Sequence, residues 1–401
     1  MTDAPYDYLI IGGGIAGVTA AETIRTRDQV GRIAIISSER HLLYSRVLLP
    51  SYLKGKIPRE RVFLRTPDAF AAKQIDIHLG EEVISVDPAR REVVTAGGRT
   101  FGFEKLLIAS GGKVRYWQYD EISASRMYRL QTIDDADRMM RDMPHIREPL
   151  VIGASFIALE FIEIFLQQKI MSRLLVREDR FFAQFVDEEG GRIIEENFRR
   201  HGVICQYGEE IQRISILDDG IEITSAHSGA IRGDSVAIGI GVERNVSFLK
   251  DSGIALGRQG VKTNEYLETN VPGVYAAGDV AEYYHLPSSA YQTIGNWTNA
   301  VLQGSRAGLN MAGDRAAFTH IPSYSITNLG MQIGVIGECS PGLSTVVRAD
   351  ADRLQYKRFF LRDGAIVGAF LINQPQEKPR LMDAISHRVD LETYESNFSI
   401  V

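Results

Sequence analysis

Cysteine is nearly absent. The 401-residue chain has two, Cys205 and Cys339, and no CxxC pair. That excludes a disulfide scaffold, an all-cysteine iron–sulfur cluster and a thioredoxin-type motif. Metal-ligand patterns are missing as well: the eight histidines show no HxxxH or Cys/His spacing, so no metal site is expected. A P-loop and a nucleophilic-triad motif are also lacking. No uninterrupted apolar run reaches the roughly 18 residues of a membrane span. The N-terminal MTDAPYDYLIIGGG has neither a basic leader nor a small-residue cleavage site, which makes the cytoplasm the expected compartment. Nor does one sign of charge dominate. Lys plus Arg is 45 against 51 for Asp plus Glu, and a net charge of −6 offers no general attraction to nucleic acid.

What is present is ordinary in bulk and specific in detail. With 44% hydrophobic and 24% charged residues, the chain has the balance of a soluble globular protein, and its length implies two or three domains. Tyr8 to Ile11 reads as a buried strand. Gly12, Gly14 and Gly17 follow in GxGxxG spacing. Ala20, Ala21 and Ile24 fall on a helical repeat, Ile33 to Ile36 is a second strand, and Glu39 stands just beyond it. Strand, glycine turn, helix, strand and acid within about 30 residues is the context a dinucleotide fingerprint requires. The first glycine permits the bend, the second lets backbone approach a pyrophosphate, and the third allows close helix–strand packing. The helix start at Ile15 and Ala16 then faces the phosphates, and Glu39 accepts hydrogen bonds from the ribose.

A similar unit recurs at Leu150 to Ile152. Gly153, Ser155 and Ala158 take the glycine positions, Phe156 to Phe165 carries a strongly apolar helix with Ile157 in its first turn, and Leu174 to Val176 is the next strand. Two such units imply two nucleotide sites, or one live and one vestigial. Leu106 to Ala109 is a further buried strand ended by Gly111-Gly112, and Val236 to Ile240 another ended by Gly241. The hairpin signal Asp218-Asp219-Gly220 lies between short strands. The VYAAGDVA segment runs a strand into Gly278-Asp279, with a helix expected soon after and a longer one near Asn299 to Ala312. From about Ile321 the pattern turns to hairpins.

Four stretches, in order, resemble the FAD-dependent pyridine nucleotide–disulfide oxidoreductase superfamily over residues 6–340. They are the N-terminal fingerprint, Lys105-Leu106-Leu107-Ile108-Ala109-Ser110-Gly111, Gly153-Ala154-Ser155-Phe156-Ile157-Ala158-Leu159-Glu160, and Tyr275-Ala276-Ala277-Gly278-Asp279. The chain looks closest to the non-disulfide branch, with rubredoxin and ferredoxin reductases, the flavin module of nitrite reductases and apoptosis-inducing-factor-like proteins. The implied fold is α/β and glutathione-reductase-like: two Rossmann-like three-layer nucleotide-binding domains plus a small α+β C-terminal domain. The implied division is a split FAD domain (1–112 and 242–320), an NAD(P)H domain (113–241) and a C-terminal interface domain (321–401) that pairs subunits in a possible homodimer.

The resemblance implies FAD as cofactor and NAD(P)H as electron donor. It assigns the FAD to Gly12, Gly14, Ile15, Ala16, Gly17, Glu39, Arg46, Ser110, Gly111, Gly278, Asp279 and Trp297. The nicotinamide nucleotide falls to Gly153, Ser155, Phe156, Ile157, Arg177, Glu178 and Gly241. In relatives the residue after the second strand sets the coenzyme, an acid for NADH and a base for NADPH. Arg177 fills that slot in this reading, with Glu178 one place on, which tilts the coenzyme to NADPH. Glu160 matches a glutamate beside the nicotinamide and is the expected catalytic residue, in a positioning or polarising role.

Disulfide-reducing relatives carry cysteine in the stretch matching His41 to Pro50; here there is none, and Ser45 stands near the single-cysteine position. A serine forms neither a mixed disulfide nor a sulfenic acid. The implied reaction is therefore flavin-only: an NAD(P)H reductase serving a separate small redox protein (rubredoxin, ferredoxin or a partner reductase subunit). The alternatives are an oxidase or quinone reductase using small acceptors, and an apoptosis-inducing-factor-like FAD scaffold. Arg40, Arg46, Lys54, Lys56, Arg59 and Arg61 are candidate cations for docking an acidic carrier.

Overall fold

The computed structural model describes residues 4–119 and 125–398. The chain divides into two compact units. The first comprises the residues up to Ser45, Arg59–Lys113 and Glu243–Ser323. The second comprises Arg46–Pro58, Val114–Val242 and the residues from Tyr324 onward.

In the first unit, strand Tyr6–Ile11 lies between Ile33–Ser37 and Thr100–Ile108, parallel to both, with Ile11 opposite Ile36 on one side and Ile108 on the other. Ile75–Leu79 extends the sheet beyond Ile33–Ser37, and Val274–Ala276 pairs in parallel with Leu106–Ile108. Strands buried on both faces read as continuous apolar runs rather than alternations, and the packing shows why. Tyr8, Ile10, Ile33, Ile35 and Leu107 belong to one core cluster, while Leu9, Ile11, Ala34, Ile36, Leu106 and Ile108 belong to another. Period two thus feeds two cores from one sheet. Glu92–Thr95 and Val83–Asp87 continue the sheet antiparallel.

After Gly278-Asp279 the expected helix does not form. Ala281–His285 is instead a strand, parallel to Val261–Thr263 and antiparallel to Ala290–Gln292. Its aromatic run buries Tyr283 completely, and the helix begins only at Trp297, running to Met311.

The second unit repeats the parallel pattern: Pro149–Ile152 lies between Arg173–Leu175 and Ser235–Ile238. An antiparallel three-stranded sheet (Ile211–Ile216, Ile221–Ser225, Gly229–Gly233) carries the Asp218-Asp219-Gly220 turn. The C-terminal segment forms an antiparallel five-stranded sheet in the order Ser323–Asn328, Met331–Gly337, Ala365–Ile372, Gln355–Arg362 and Ser344–Asp350, followed by helices Lys378–Ser386 and Leu391–Phe398. Among the described residues, no helix is long and apolar enough to cross a membrane.

Candidate functional site

The first glycine turn links strand Tyr6–Ile11 to helix Ile15–Arg27. Gly12 has φ +120°, and a Cβ there would run into the Ala109 carbonyl. Its N–H donates to the Ile36 carbonyl at 2.8 Å. Gly17 sits so close that a Cβ would overlap the Gly12 carbonyl, whereas a Cβ on Gly14 would meet nothing within 4 Å. Gly14 is the N-cap, no side chain caps the helix, and its first turn holds no acid. The N–H groups of Ile15, Ala16 and Gly17 precede any intrahelical partner, so they are donors for an anion approaching through that open space. Glu39 lies three residues past Ile36, and Tyr44 Oη donates to it at 2.5 Å. Beside the turn, Ser110 Oγ donates to the Asn245 carbonyl at 2.7 Å, and the Gly111 carbonyl accepts from Asn245 N at 3.1 Å.

The Gly278-Asp279 segment closes on the same turn. A Cβ on Gly278 would stand 2.9 Å from Ala16 Cβ, and the Gly278 N–H donates to Gln303 Oε1 at 2.7 Å. Helix Trp297–Met311 packs tightly on the glycine helix because Gly304 and Gly308 leave no side chain between them. Trp297 packs against the core cluster that contains Ala16. Just ahead of that helix, a Cβ on Gly295 would lie 3.1 Å from Asp279 Oδ2 and 3.2 Å from Arg244 Nη1. Arg244 Nη1 is buried without a hydrogen-bond partner. Burial holds its guanidinium below the ordinary value, with Asp279 pulling the other way. An open helix start, a carboxylate for the ribose and an orphaned buried donor together fit a dinucleotide with a polar tail such as FAD.

In the second turn, Gly153 has φ +114°, and its Cβ would overlap the Gly239 carbonyl. Ser155 caps helix Phe156–Gln167: its Oγ accepts from Ala158 N at 3.2 Å and donates to the Gly239 carbonyl at 2.6 Å. Phe156 leaves the first turn for an aromatic cluster, with ring centroids 4.7 Å from Phe182 and 4.9 Å from Tyr324, while Ile157 stays partly exposed. Gly241 has φ +95° with open space before it, and its carbonyl accepts from Arg115 N.

Register shows which residue of the second unit stands level with Glu39. Gly153 N donates to the Leu175 carbonyl at 3.0 Å as Gly12 N does to Ile36, so Leu175 matches Ile36 and Glu178, not Arg177, matches Glu39. Arg177 points outward, 78% exposed, and ion-pairs with Glu178 at 2.7 Å.

Glu160 lies on the second glycine helix, with its side chain only 13% exposed. Lys54 Nζ donates to it at 2.8 Å and also ion-pairs with Glu163, one turn further along. Glu163 in turn accepts from Asn328 Nδ2 at 3.1 Å and from Leu329 N. Burial raises the Glu160 carboxyl above its ordinary value; Lys54 works against this and Glu163 adds to it. Burial opposes the Lys54 charge, but the two carboxylates outweigh it and hold Lys54 above its usual range. Lys54 therefore does not belong among the docking cations: its side chain is 7% exposed and paired with two carboxylates. Arg40, Lys56 and Arg61 are exposed, Arg59 lies over the Phe63 ring, and Arg46 donates to the Gln131 carbonyl. Glu163, Gly239 and Arg244 stand at these turns without being singled out by sequence reasoning, and Lys54 has a different place from the one expected. The Glu160/Glu163 spacing on one helix face is the single local hint among them. Among the described residues, no cluster of His, Cys, Asp and Glu suits a metal.

Two dinucleotide turns in one chain, the first closed by a Gly-Asp segment, define a double-Rossmann nucleotide-binding protein. Residues 6–304 match the pyridine nucleotide-disulphide oxidoreductase family, and residues 322–389 match the rubredoxin NAD+ reductase C-terminal domain. The chain belongs to the pyridine nucleotide-disulphide oxidoreductase family, which uses FAD and NAD(P)H. It is 31% identical over 281 residues to the 5,5'-dehydrodivanillate O-demethylase ferredoxin reductase subunit of Sphingobium sp. (strain NBRC 103272 / SYK-6), covering 69% of this chain and 68% of the relative. It is 30% identical over 280 residues to apoptosis-inducing factor 3 of Mus musculus, covering 69% of this chain but 46% of that protein, so the chain matches about half the length of this relative. The covalent putidaredoxin reductase–putidaredoxin complex shares the fold, with a TM-score of 0.89 and 23% identity over 98% of this chain and 96% of that one.

Proposed function

We propose that the protein is an FAD-dependent NADH reductase that passes electrons to a separate small carrier of the ferredoxin or rubredoxin type, or to a partner reductase subunit. The observation that carries this reading is the state of its thiols. Cys205 and Cys339 are unpaired, and burial pushes each up to about 12. A thiol so shielded stays protonated at neutral pH and is a poor nucleophile. Ser45, in the stretch where thiol-using relatives place cysteine, is buried. Electrons from the nucleotide then have no protein thiol to go to. The C-terminal match to a rubredoxin reductase domain and the relative named as a ferredoxin reductase subunit support an external carrier.

In this reading FAD, when bound, supplies the passage from a two-electron donor to one-electron steps. The chain binds and orients. Gly12, Gly14, Ile15, Ala16 and Gly17 cradle the pyrophosphate, Glu39 takes the adenosine ribose and Asp279 the ribityl chain. Ser110, Gly111, Gly278, Trp297 and Arg46 complete the cofactor's surroundings. Gly153, Ser155, Phe156, Ile157 and Gly241 hold the donor. Glu178 in the ribose slot favours NADH, since a carboxylate accepts from ribose hydroxyls and repels a 2′-phosphate. Glu160, fixed by Lys54, positions the nicotinamide. The same reading keeps a split FAD domain at 1–112 and 242–320, an NADH domain at 113–241 and a homodimer contact in 321–401. It places the protein in the cytoplasm, where unpaired cysteines are the norm.

Anaerobic stopped-flow mixing tests it. Flavin reduction should be about tenfold or more faster with NADH than with NADPH, and ferredoxin or rubredoxin should reoxidise the flavin faster than menadione or oxygen does. Reduction by neither nucleotide overturns the reductase reading while leaving FAD binding intact. The likeness to apoptosis-inducing factor 3 gives a second reading, a flavin-dependent scaffold. A long-lived reduced state with changed oligomer size favours that one.

A further inference from the structure

Arg244 is a charged group without an evident task inside the protein. It closes the short strand Val242–Arg244, next to Asn245, whose backbone is tied to Ser110 and Gly111. Its Nη1 is shielded from solvent yet has no acceptor. A buried N–H without a partner is costly, the more so when the group is charged. Folded proteins keep such groups rarely, and each one calls for a reason.

The surroundings say which kind of ligand. Arg244 Nη1 and Asp279 Oδ2 flank one point, the position of a Cβ that Gly295 does not have. Asp279 follows Gly278, which abuts Ala16 in the first turn of the glycine helix. The N-cap Asn296 of helix Trp297–Met311 comes directly after Gly295. An orphaned cationic donor, a carboxylate and the anion-binding helix start thus lie along one connected backbone path. A guanidinium there meets the polar tail of a flavin dinucleotide, whose pyrophosphate is anionic and whose ribityl chain is all hydroxyls.

We propose that Arg244 is an FAD-binding residue that donates from Nη1 to the ribityl–pyrophosphate stretch of the cofactor, working beside Asp279 across the space that Gly295 keeps open. The assignment rests on the FAD reading above and adds a contact to it. The two carry opposite charge for opposite jobs: Asp279 accepts from hydroxyls, and Arg244 donates to oxygen and offsets phosphate charge.

The experiment titrates full-length apoprotein with FAD and follows quenching of flavin fluorescence, in wild type, Arg244→Met, Arg244→Lys and Gly295→Ala. Charge-assisted hydrogen bonds contribute about 1.5–3 kcal/mol, so Arg244→Met should weaken FAD binding by about 10- to 150-fold. Arg244→Lys should recover part of the loss, and Gly295→Ala should weaken binding by crowding the pair. The two-electron midpoint potential of the flavin should stay put, because the contact is to the tail and not the ring. FAD affinity within about twofold of wild type in folded Arg244→Met overturns the proposal, and so does a displaced potential at unchanged affinity. Circular dichroism establishes folding, and should Arg244→Met not fold, the Gly295→Ala titration decides. Failure of wild-type protein to bind FAD would instead sink the cofactor reading itself, which separates the two failures.

Discussion

The two glycine turns meet one steric demand with opposite residues. In the first, the helix supplies the small residue, Gly17, and the facing strand end is Ala109. In the second, the helix carries Ala158, and it is the strand end, Gly239, that gives way: a Cβ there would lie 2.6 Å from Ala158 N. Close approach of helix to strand is the conserved need, and either partner can yield. The helix starts differ too. Gly14 leaves the first one uncapped, whereas Ser155 satisfies the Ala158 N–H in the second. The cap leaves fewer donors waiting for an anion at the second start than at the first, which suits a coenzyme that comes and goes; an open start suits a cofactor that stays.

The sharpest way to break this comparison is to crowd each turn in turn. Gly12→Ala should yield protein without flavin absorbance, since the added methyl meets the Ala109 carbonyl in a left-handed backbone. Gly153→Ala should keep the flavin spectrum but raise the NADH concentration needed for reduction by on the order of 100-fold. Loss of flavin from both variants would erase the distinction.

Lys54→Met leaves two buried carboxylates facing each other and should lower stability by about 3–5 kcal/mol, read from urea midpoints. A pH effect follows from Glu160. Its folded-state pKa lies above the unfolded value, so the native protein holds the extra proton just above the ordinary carboxylate range, and stability falls as pH rises through that window. Glu160→Gln should flatten this slope in midpoints compared between about pH 5 and pH 7.

Glu178→Ala should raise the NADH KM by about tenfold with kcat little changed, and narrow the preference over NADPH. The matching Glu39→Ala should weaken FAD and leave coenzyme choice alone. The smallest effect belongs to the cap: Ser155→Ala should cost about 0.5–2 kcal/mol in urea unfolding, and Ser155→Gly only a few tenths. An equal loss from both would mean that Ser155 acts through Gly239 rather than through the helix.

Much of this was legible because it is local. Apolar runs such as Tyr8–Ile11 and the glycine spacings are written in neighbouring residues. What sequence reasoning loses is distance and register. Lys54 meets Glu160 from 106 positions away, so no window along the chain shows a docking cation to be a buried one. Whether Arg177 or Glu178 stands level with Glu39 depends on one residue of backbone register, set by the Gly153 N–H to Leu175 carbonyl bond. The segment after Asp279 reads as a helix start only until Tyr283 is seen filling the core between two strands. Arg244 matters because of what it does not touch, and a vacant hydrogen bond leaves no trace in a sequence.

The short stretch Arg46–Pro58 belongs with the second unit although its chain neighbours on both sides belong to the first. Any gene fragment spanning only residues 114–242 therefore leaves Lys54 behind, and a chimera that swaps that fragment between relatives inherits Glu160 and Glu163 with a stranger's counter-ion. Recombination of such modules has to move this loop together with the repeat, so the true unit of exchange is discontinuous in the gene.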